Sequence, residues 1–299
     1  MRLRHIEVFH AVYSSGSVTR AAEILSVSQP SVSKTLAHAE QQLGYALFER
    51  AKGKLIPTPE ADQLFVLVSS VNDSVARLRH VAENLRAAEH GIIRIAATPA
   101  FGIDLLPMAI ASYREHHRDT IFKVETLHHD EMASALLESR VDVGLAFSPE
   151  KIPGIASELL DYGLFVALTP PGMEFGRKTE LSISDLEGLD FISLDKRGPL
   201  GRILAAHIEA SGVVLDVVAH AETYQVAKAL VSYGLGVTIT DEVTAKSSGH
   251  EGVKIWPLFP GIRFEVAALH LDKAPMSIVC RRFVDHLGAC LHSFLAGRP

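Results

Sequence analysis

The 299-residue sequence predicts an α+β chain in three parts. Residues 1–58 carry short amphipathic helix patterns and one hairpin, residues 59–89 form one uninterrupted helical pattern, and residues 90–299 alternate short apolar β-rich runs with amphipathic helices. Hydrophobic residues make up 47% and charged residues 21%, which supplies real cores and excludes a disordered chain.

Leu3, Ile6, Phe9 and Tyr13 recur at three- and four-residue steps and predict a first helix with one apolar stripe. Gly16 ends it. Ser17 is placed to N-cap a second helix, Val18–Leu25, whose Ala21 and Ala22 let another helix approach closely. Ser28 is the next cap, followed by Pro30 in the first turn, where a missing N–H costs little. Val27 and Val32 have the spacing of a hydrophobic staple. On this third helix Val32, Leu36, Ala39 and Leu43 share one side; Lys34, His38 and Gln41, flanked by Ser31 and Ser33, share the other. Two helices joined by a short turn, the second with a small polar outer face, form a helix-turn-helix. Hydroxyls, amides and cations bond phosphate oxygens and base edges. Leu47–Arg50 and Lys54–Thr58 flank Ala51-Lys52-Gly53 as a hairpin wing, placing Arg50, Lys52 and Lys54 where phosphates or a minor groove would meet them. The net charge of -6 does not oppose this, because residues 1–60 hold 7 of the 29 Lys/Arg and only 5 of the 35 Asp/Glu.

In the long helix Leu64, Val71, Leu78 and Leu85 lie seven apart, and Val68, Val75 and Ala82 form a second such series offset by four. Two apolar stripes at heptad spacing predict a self-association seam. A two-fold dimer would present two recognition helices to two half-sites of an inverted repeat.

Beyond residue 90 the expected strands are Ile92–Thr98, Phe122–Leu127, Val141–Phe147, Leu164–Thr169, Asp190–Leu194, Val217–Ala221, Val237–Thr240 and Phe264–Leu271. The expected helices are Phe101–His116, Asp130–Ser139, Leu200–Ser211, Tyr224–Tyr233 and Met276–Ala296. Runs such as VDVGLAF are apolar on both faces, as parallel strands covered by helices on each side must be. The alternation fits two open-sheet lobes, one spanning about 90–162 and 265–299 and the other about 163–264. A ligand would then lie between them at strand carboxyl ends. Those ends are Thr98-Pro99-Ala100-Phe101, Phe147-Ser148 and Ser193 to Pro199. Arg197 is the best-placed cation for a carboxylate-bearing ligand, with Lys196 and Arg202 in competition, and Tyr224 sits at the mouth of a following helix.

Other chemistry finds little support. Cys280 and Cys290 are too few for a disulfide framework and fit no zinc spacing. His116-His117 and His128-His129-Asp130 are adjacent residues that point in different directions, so no metal is expected. No nucleotide-binding or esterase motif occurs, so neither a cofactor nor an enzymatic activity is expected. No apolar run reaches 18 residues and the start MRLRHIEVFH lacks the marks of a signal peptide, which places the chain in the cytoplasm, away from membranes.

Residues 16–50, GSVTRAAEILSVSQPSVSKTLAHAEQQLGYALFER, resemble the DNA-binding domain of LysR-type transcriptional regulators. The resemblance is carried by Ser17-x-Thr19-x-Ala21-Ala22, Ser28-Gln29-Pro30-Ser31-x-Ser33, Glu40, Leu43-Gly44 and Leu47-Phe48-x-Arg50. Thr58-x-x-Ala61 departs slightly, with Ala61 or Asp62 where glycine is common. The resemblance implies a winged helix-turn-helix over 1–58 that binds double-stranded DNA through Ser17, Thr19, Arg20, Ser28, Gln29, Pro30, Ser31, Ser33, Lys34, His38 and the wing cations. It implies a linker (dimerisation) helix over 59–89 and a homodimer or homotetramer. It further implies an effector-binding domain over 90–299 of two α/β lobes resembling periplasmic binding proteins. In that family the inducer is held at the strand ends around Thr98 and Ala100; here apolar Ala100 and Phe147 replace hydroxyls, so the cleft should have a larger apolar wall. Such a regulator would act by changing DNA bending or contact with RNA polymerase. The rival reading is a cytosolic solute-binding module without a regulatory role on DNA.

Overall fold

The computed structural model describes residues 1–51, 54–86, 91–194, 196, 198–250, 252–274 and 276–297. Lys52 and Arg197 lie outside the described residues, as do the side chains of Arg50, Lys54 and Leu85. The chain forms two compact units, Met1–Ala82 and Glu83–Pro299.

The first unit runs α1 (Leu3–Ser15), α2 (Val18–Ile24), α3 (Gln29–Leu43), β1 (Phe48–Ala51), β2 (Lys54–Pro57) and α4 (Pro59–Arg86). Gly16 adopts φ 63°, the left-handed conformation that closes α1 by returning its N–H to the Val12 carbonyl. The Ser17 hydroxyl accepts the Arg20 N–H at 3.4 Å, as the capping expectation requires. Ser28 holds the N-cap backbone of α3, but its side chain makes no capping bond. Val8, Phe9, Val12, Ala21, Ala22, Val32, Leu36 and Leu47 fill the core. The buried arc of α1 is therefore His5, Val8, Phe9 and Val12, whereas Leu3 is exposed and Ile6 and Tyr13 are half-buried. The arc turns because α1 packs against both α2 and α3. Tyr13 serves α4 instead, its hydroxyl donating to Asp62 Oδ1 at 2.7 Å while its ring stacks on Phe65 at 3.8 Å.

Two side chains fasten the wing. The Glu40 carboxylate accepts the N–H groups of Leu47 and Phe48 at 2.8 and 3.3 Å. The Thr58 hydroxyl donates to the Ala46 carbonyl at 3.0 Å and accepts the Ala61 N–H at 3.2 Å, so it also caps α4. Along α4 the two heptad stripes part company. Val68 is buried in the unit's own core and Leu64 packs partly against it, so the seam expected to include them is taken up locally. Val71 and Leu78 remain 40% and 71% exposed.

The second unit contains β3 (Ile92–Ala97), α5 (Pro99–Gly102), α6 (Leu105–His116), β4 (Ile121–Thr126), α7 (His129–Leu137), β5 (Val143–Phe147) and β6 (Ile155–Thr169). It continues with β7 (Asp190–Leu194), α8 (Pro199–Ser211), β8 (Asp216–Ala221), α9 (Tyr224–Ser232), β9 (Thr238–Asp241), α10 (Glu242–Lys246), β10 (Lys254–Pro257), β11 (Arg263–Leu271) and α11 (Ile278–Ala296). One lobe carries the order β4-β3-β5-β11-β6, with β3 parallel to β4 and β5. The other pairs β7 with β8 in parallel, bridges β7 to the chain at Val237 before β9, and sets β9 and β10 on either side of the second half of β6. Strand β6 thus belongs to both sheets: Ile155–Leu164 pairs with β11, and residues beyond pair with β9 and β10. At the crossing, Gly163 lies beneath the Phe264 ring, where a Cβ would meet ring carbon Cζ at 2.3 Å.

Two expectations are corrected. The expected strand Leu164–Thr169 begins nine residues earlier, because Ile155–Gly163, whose apolar and polar residues follow no clear alternation, is held extended by antiparallel pairing with β11, a partner about a hundred positions on. The expected helix Phe101–His116 breaks between α5 and α6 at Asp104, whose carboxylate turns aside to accept the hydroxyl of Ser248 at 2.8 Å and its backbone N–H.

Candidate nucleic-acid interface and ligand cleft

The third helix presents a face built by elimination. With Val32, Leu36 and Ala39 buried, Gln29, Pro30, Ser31, Lys34 and His38 are left exposed, as are Thr19 and Arg20 on α2. Ser17 is half-buried at its cap and exposed Ser28 precedes the helix. Ser33 is half-buried and its hydroxyl accepts the Gln29 amide at 3.0 Å, which orients that amide on the helix surface. His38 bonds through Nδ1 to Nε2 of His5 at 3.1 Å. His5 is 5% exposed, and its Nδ1 accepts the backbone N–H of Arg2 at 3.3 Å.

Burial pushes the His5 pKa below the ordinary value of 6.5, with His38, the N-terminal ammonium and Arg2 acting in the same direction. The unfolded chain therefore binds a proton on His5 more readily than the folded one. The contribution that a neutral, buried His5 makes to this unit's stability is fully present above about pH 6.5 and is lost as the pH falls below that value. Calorimetry of the full chain on descending pH should show its transition falling, with a smaller fall in His5→Phe; an identical pH dependence in both would contradict the assignment.

In the second unit a cavity of about 540 Å³ opens at the carboxyl ends of β3, β4 and β5. It is lined by Thr98, Pro99, Ala100, Phe147 and Tyr224, all expected there. The N-termini of α7 (His128 to Glu131), α8 (Gly198 to Leu200) and α9 (Thr223 to Gln225) converge on it. Helix N-termini carry unpaired N–H groups and a partial positive charge. Two buried polar atoms in this wall, Thr98 Oγ1 and Gln225 Nε2, have no hydrogen-bond partner within the fold. Arg202 and Glu150 pair across the mouth with both side chains largely exposed, a contact worth little by itself.

Several expected cleft residues are placed elsewhere. Phe101 is fully buried behind the wall, its ring 4.3 Å from that of Phe147. Ser148 turns at φ 36° and its hydroxyl accepts the Glu265 N–H at 3.0 Å, so it joins β5 to β11. Ser193 lies within β7 and exposed Lys196 beyond it, neither lining the cavity. Sequence reasoning passed over His128 to Glu131, Glu150, Leu200, Glu222, Thr223 and Gln225. The strand-end rule, applied to β4 as well, points to the first group. Among the described residues no cluster of three His, Cys, Asp or Glu could hold a metal, and no helix is long and apolar enough to cross a membrane. Cys280 is buried, with its thiol pushed up to about 12 by desolvation, and both cysteines are free.

Comparison with known proteins gives these features a context. Residues 3–62 match the family model of bacterial regulatory helix-turn-helix proteins, lysR family, and residues 86–290 that of the LysR substrate binding domain. The chain is 42% identical over 291 residues, 97% of its length and all of the relative's, to the HTH-type transcriptional regulator DgcR of a Pseudoalteromonas species. It is 30% identical to the transcriptional activator protein LysR of Escherichia coli K12, over 97% of this chain and 94% of that one. A single-site variant of full-length OxyR from Pseudomonas aeruginosa superimposes with a TM-score of 0.69 at 17% identity, covering 100% of this chain and 98% of that chain. CbnR complexed with its target DNA does so at 0.68 and 17%, covering 97% and 100%. The named relatives are transcriptional regulators and not enzymes. With both of its parts matched, the chain belongs to the LysR family of DNA-binding transcriptional regulators, a helix-turn-helix joined to an effector-binding domain.

Proposed function

We propose that two copies of the first unit, paired through α4 in a homodimer or homotetramer, read an inverted-repeat operator, and that a small carboxylate-bearing effector in the cleft alters their placement. The observation that carries the reading is the exposed polar surface of α3, with its Gln29 amide oriented by Ser33 and with Pro30, Lys34 and His38 exposed together. Exposed Thr19 and Arg20 extend it, while Ser17 and Ser28 begin the helices that present it. The wing residues Arg50, Lys52 and Lys54 add phosphate contacts in this reading, and Arg197 is the cation proposed for the effector's carboxylate. The effector part is supported by three helix N-termini and two unpartnered buried polar atoms facing one cavity, an arrangement suited to a carboxylate. Differential affinity for two arrangements of the dimer is what couples the cleft to the DNA, and through it to RNA polymerase. The regulator would work in the cytoplasm.

The first test is electrophoretic retardation, by the full chain, of the DNA upstream of its own gene. Retardation that survives excess random duplex is expected. Binding of small carboxylates with no such retardation would leave the solute-binding module as the reading. For the cleft, Thr98→Val removes a hydroxyl that has no hydrogen-bond partner within the fold, so the unliganded domain should fold as the wild type does. A panel of amino acids, hydroxy acids and dicarboxylates, screened by thermal shift, should contain a member that raises the wild-type melting temperature. That ligand should bind Thr98→Val roughly tenfold more weakly. Equal binding by both proteins would remove Thr98 from the site.

A further inference from the structure

His38 stands on the DNA-facing side of α3, and a neutral imidazole can meet DNA in two opposite ways. With the proton on Nε2 it donates to acceptors such as purine N7, guanine O6 or a phosphate oxygen; with the proton on Nδ1, its free Nε2 accepts from base amino groups. Which form a histidine takes is set by the bond made at its other nitrogen.

The structure closes that choice through a chain of three groups. The Arg2 backbone N–H can only donate, and it points at His5 Nδ1 at 3.3 Å. Neutral His5 must therefore carry its proton on Nε2. That Nε2 faces His38 Nδ1 at 3.1 Å, with the two rings edge-on at 78°. His5 Nε2–H then donates to His38 Nδ1, and the His38 proton is left on Nε2. His5 is 5% exposed, and both of its ring nitrogens are engaged by Arg2 and His38, so little of the ring is open to other partners.

We propose that His5 is a positioning residue for operator recognition: it locks His38 as a donor-only reader, so the operator must place an acceptor opposite it. This rests on the reading of α3 as the recognition helix and adds a specificity determinant that does not itself touch DNA. The charge state is not what is selected; the tautomer is.

The test uses full-length protein labelled with ¹⁵N-histidine and held above the ordinary histidine pKa of about 6.5. Long-range proton–nitrogen correlation spectra report ring tautomers, and His38 is assigned by its loss in His38→Gln. A single neutral form protonated at Nε2 is expected in the wild type, and a mixture in His5→Phe. A wild-type His38 that is mixed, or protonated at Nδ1, overturns the proposal without needing any variant to fold. In parallel, a randomised duplex pool is selected with the wild type, His5→Phe and His38→Ala. The wild type should enrich an acceptor-bearing base at one position per half-site, and His38→Ala should bind the enriched sequence roughly two- to tenfold more weakly. His5→Phe should relax the preference at that same position. A phosphate partner would instead appear as weakening that is uniform across sequences, with the lock intact. Unchanged selection by both variants overturns the role of His38. Failure of the wild type to enrich any sequence overturns the recognition helix itself, a separate result.

Discussion

Full-length protein carrying Ser33→Ala and Lys34→Ala is expected to lose sequence-specific DNA binding while folding normally. Lys34 is exposed and Ser33 half-buried, so neither change opens a cavity in the core of α3, which is made by Val32, Leu36 and Ala39. The Lys34 change removes a charge-assisted contact, worth roughly 1.5–3 kcal/mol, or about 10- to 100-fold in affinity, at each half-site. The Ser33 change also releases the Gln29 amide from the bond that orients it. Both half-sites suffer in a dimer, so the combined loss should exceed what an electrophoretic titration can follow. The circular dichroism spectrum and melting temperature should stay close to wild type. Unchanged affinity would place the reading surface on another face.

The second large effect concerns assembly. Val71→Asp with Leu78→Asp is expected to separate the dimer, because these α4 residues are exposed in the single chain. Packed in a seam they would bury apolar surface that two carboxylates cannot replace. Sedimentation velocity should show a monomer with intact secondary structure. Operator affinity should fall by about 10²- to 10⁴-fold, since the second half-site would no longer be bound intramolecularly. Val68→Asp makes an instructive contrast: Val68 is buried within its own unit, so that change should unfold the unit. A doubly substituted chain that remained dimeric would assign the interface to another surface.

The sequence carried the first unit well, because its signals are local. Ser17, Gly16, Pro30 and the Val32–Leu36–Ala39 stripe each act within a turn or two of helix, and the structure places every one as spaced. What it did not carry was non-local. In α1 only Phe9 of the expected stripe is fully buried, because the neighbouring helices draw in His5, Val8 and Val12 instead. Val68 packs within its own unit, and heptad spacing cannot tell a domain core from a dimer seam. The break at Asp104 depends on Ser248, 144 positions away. In the cleft, the strand-end rule found Thr98, Ala100 and Phe147. It could not foresee that Ser148 would spend its hydroxyl on β11, or that helix N-termini would bring Gln225 to the same wall. Nor could any spacing argument join His5 to His38, whose meeting is made by the packing of α1 on α3.

The central claim is that two copies of α3 read two symmetric half-sites. Selection of full-length wild-type protein on a randomised duplex pool tests it most directly. The expected result is an inverted repeat whose half-sites lie on one face of the duplex, about one helical turn or a multiple of it apart, and whose enrichment is lost with Ser33→Ala and Lys34→Ala. Enrichment of a single asymmetric site, or of an inverted repeat that the doubly substituted protein selects equally well, would contradict it.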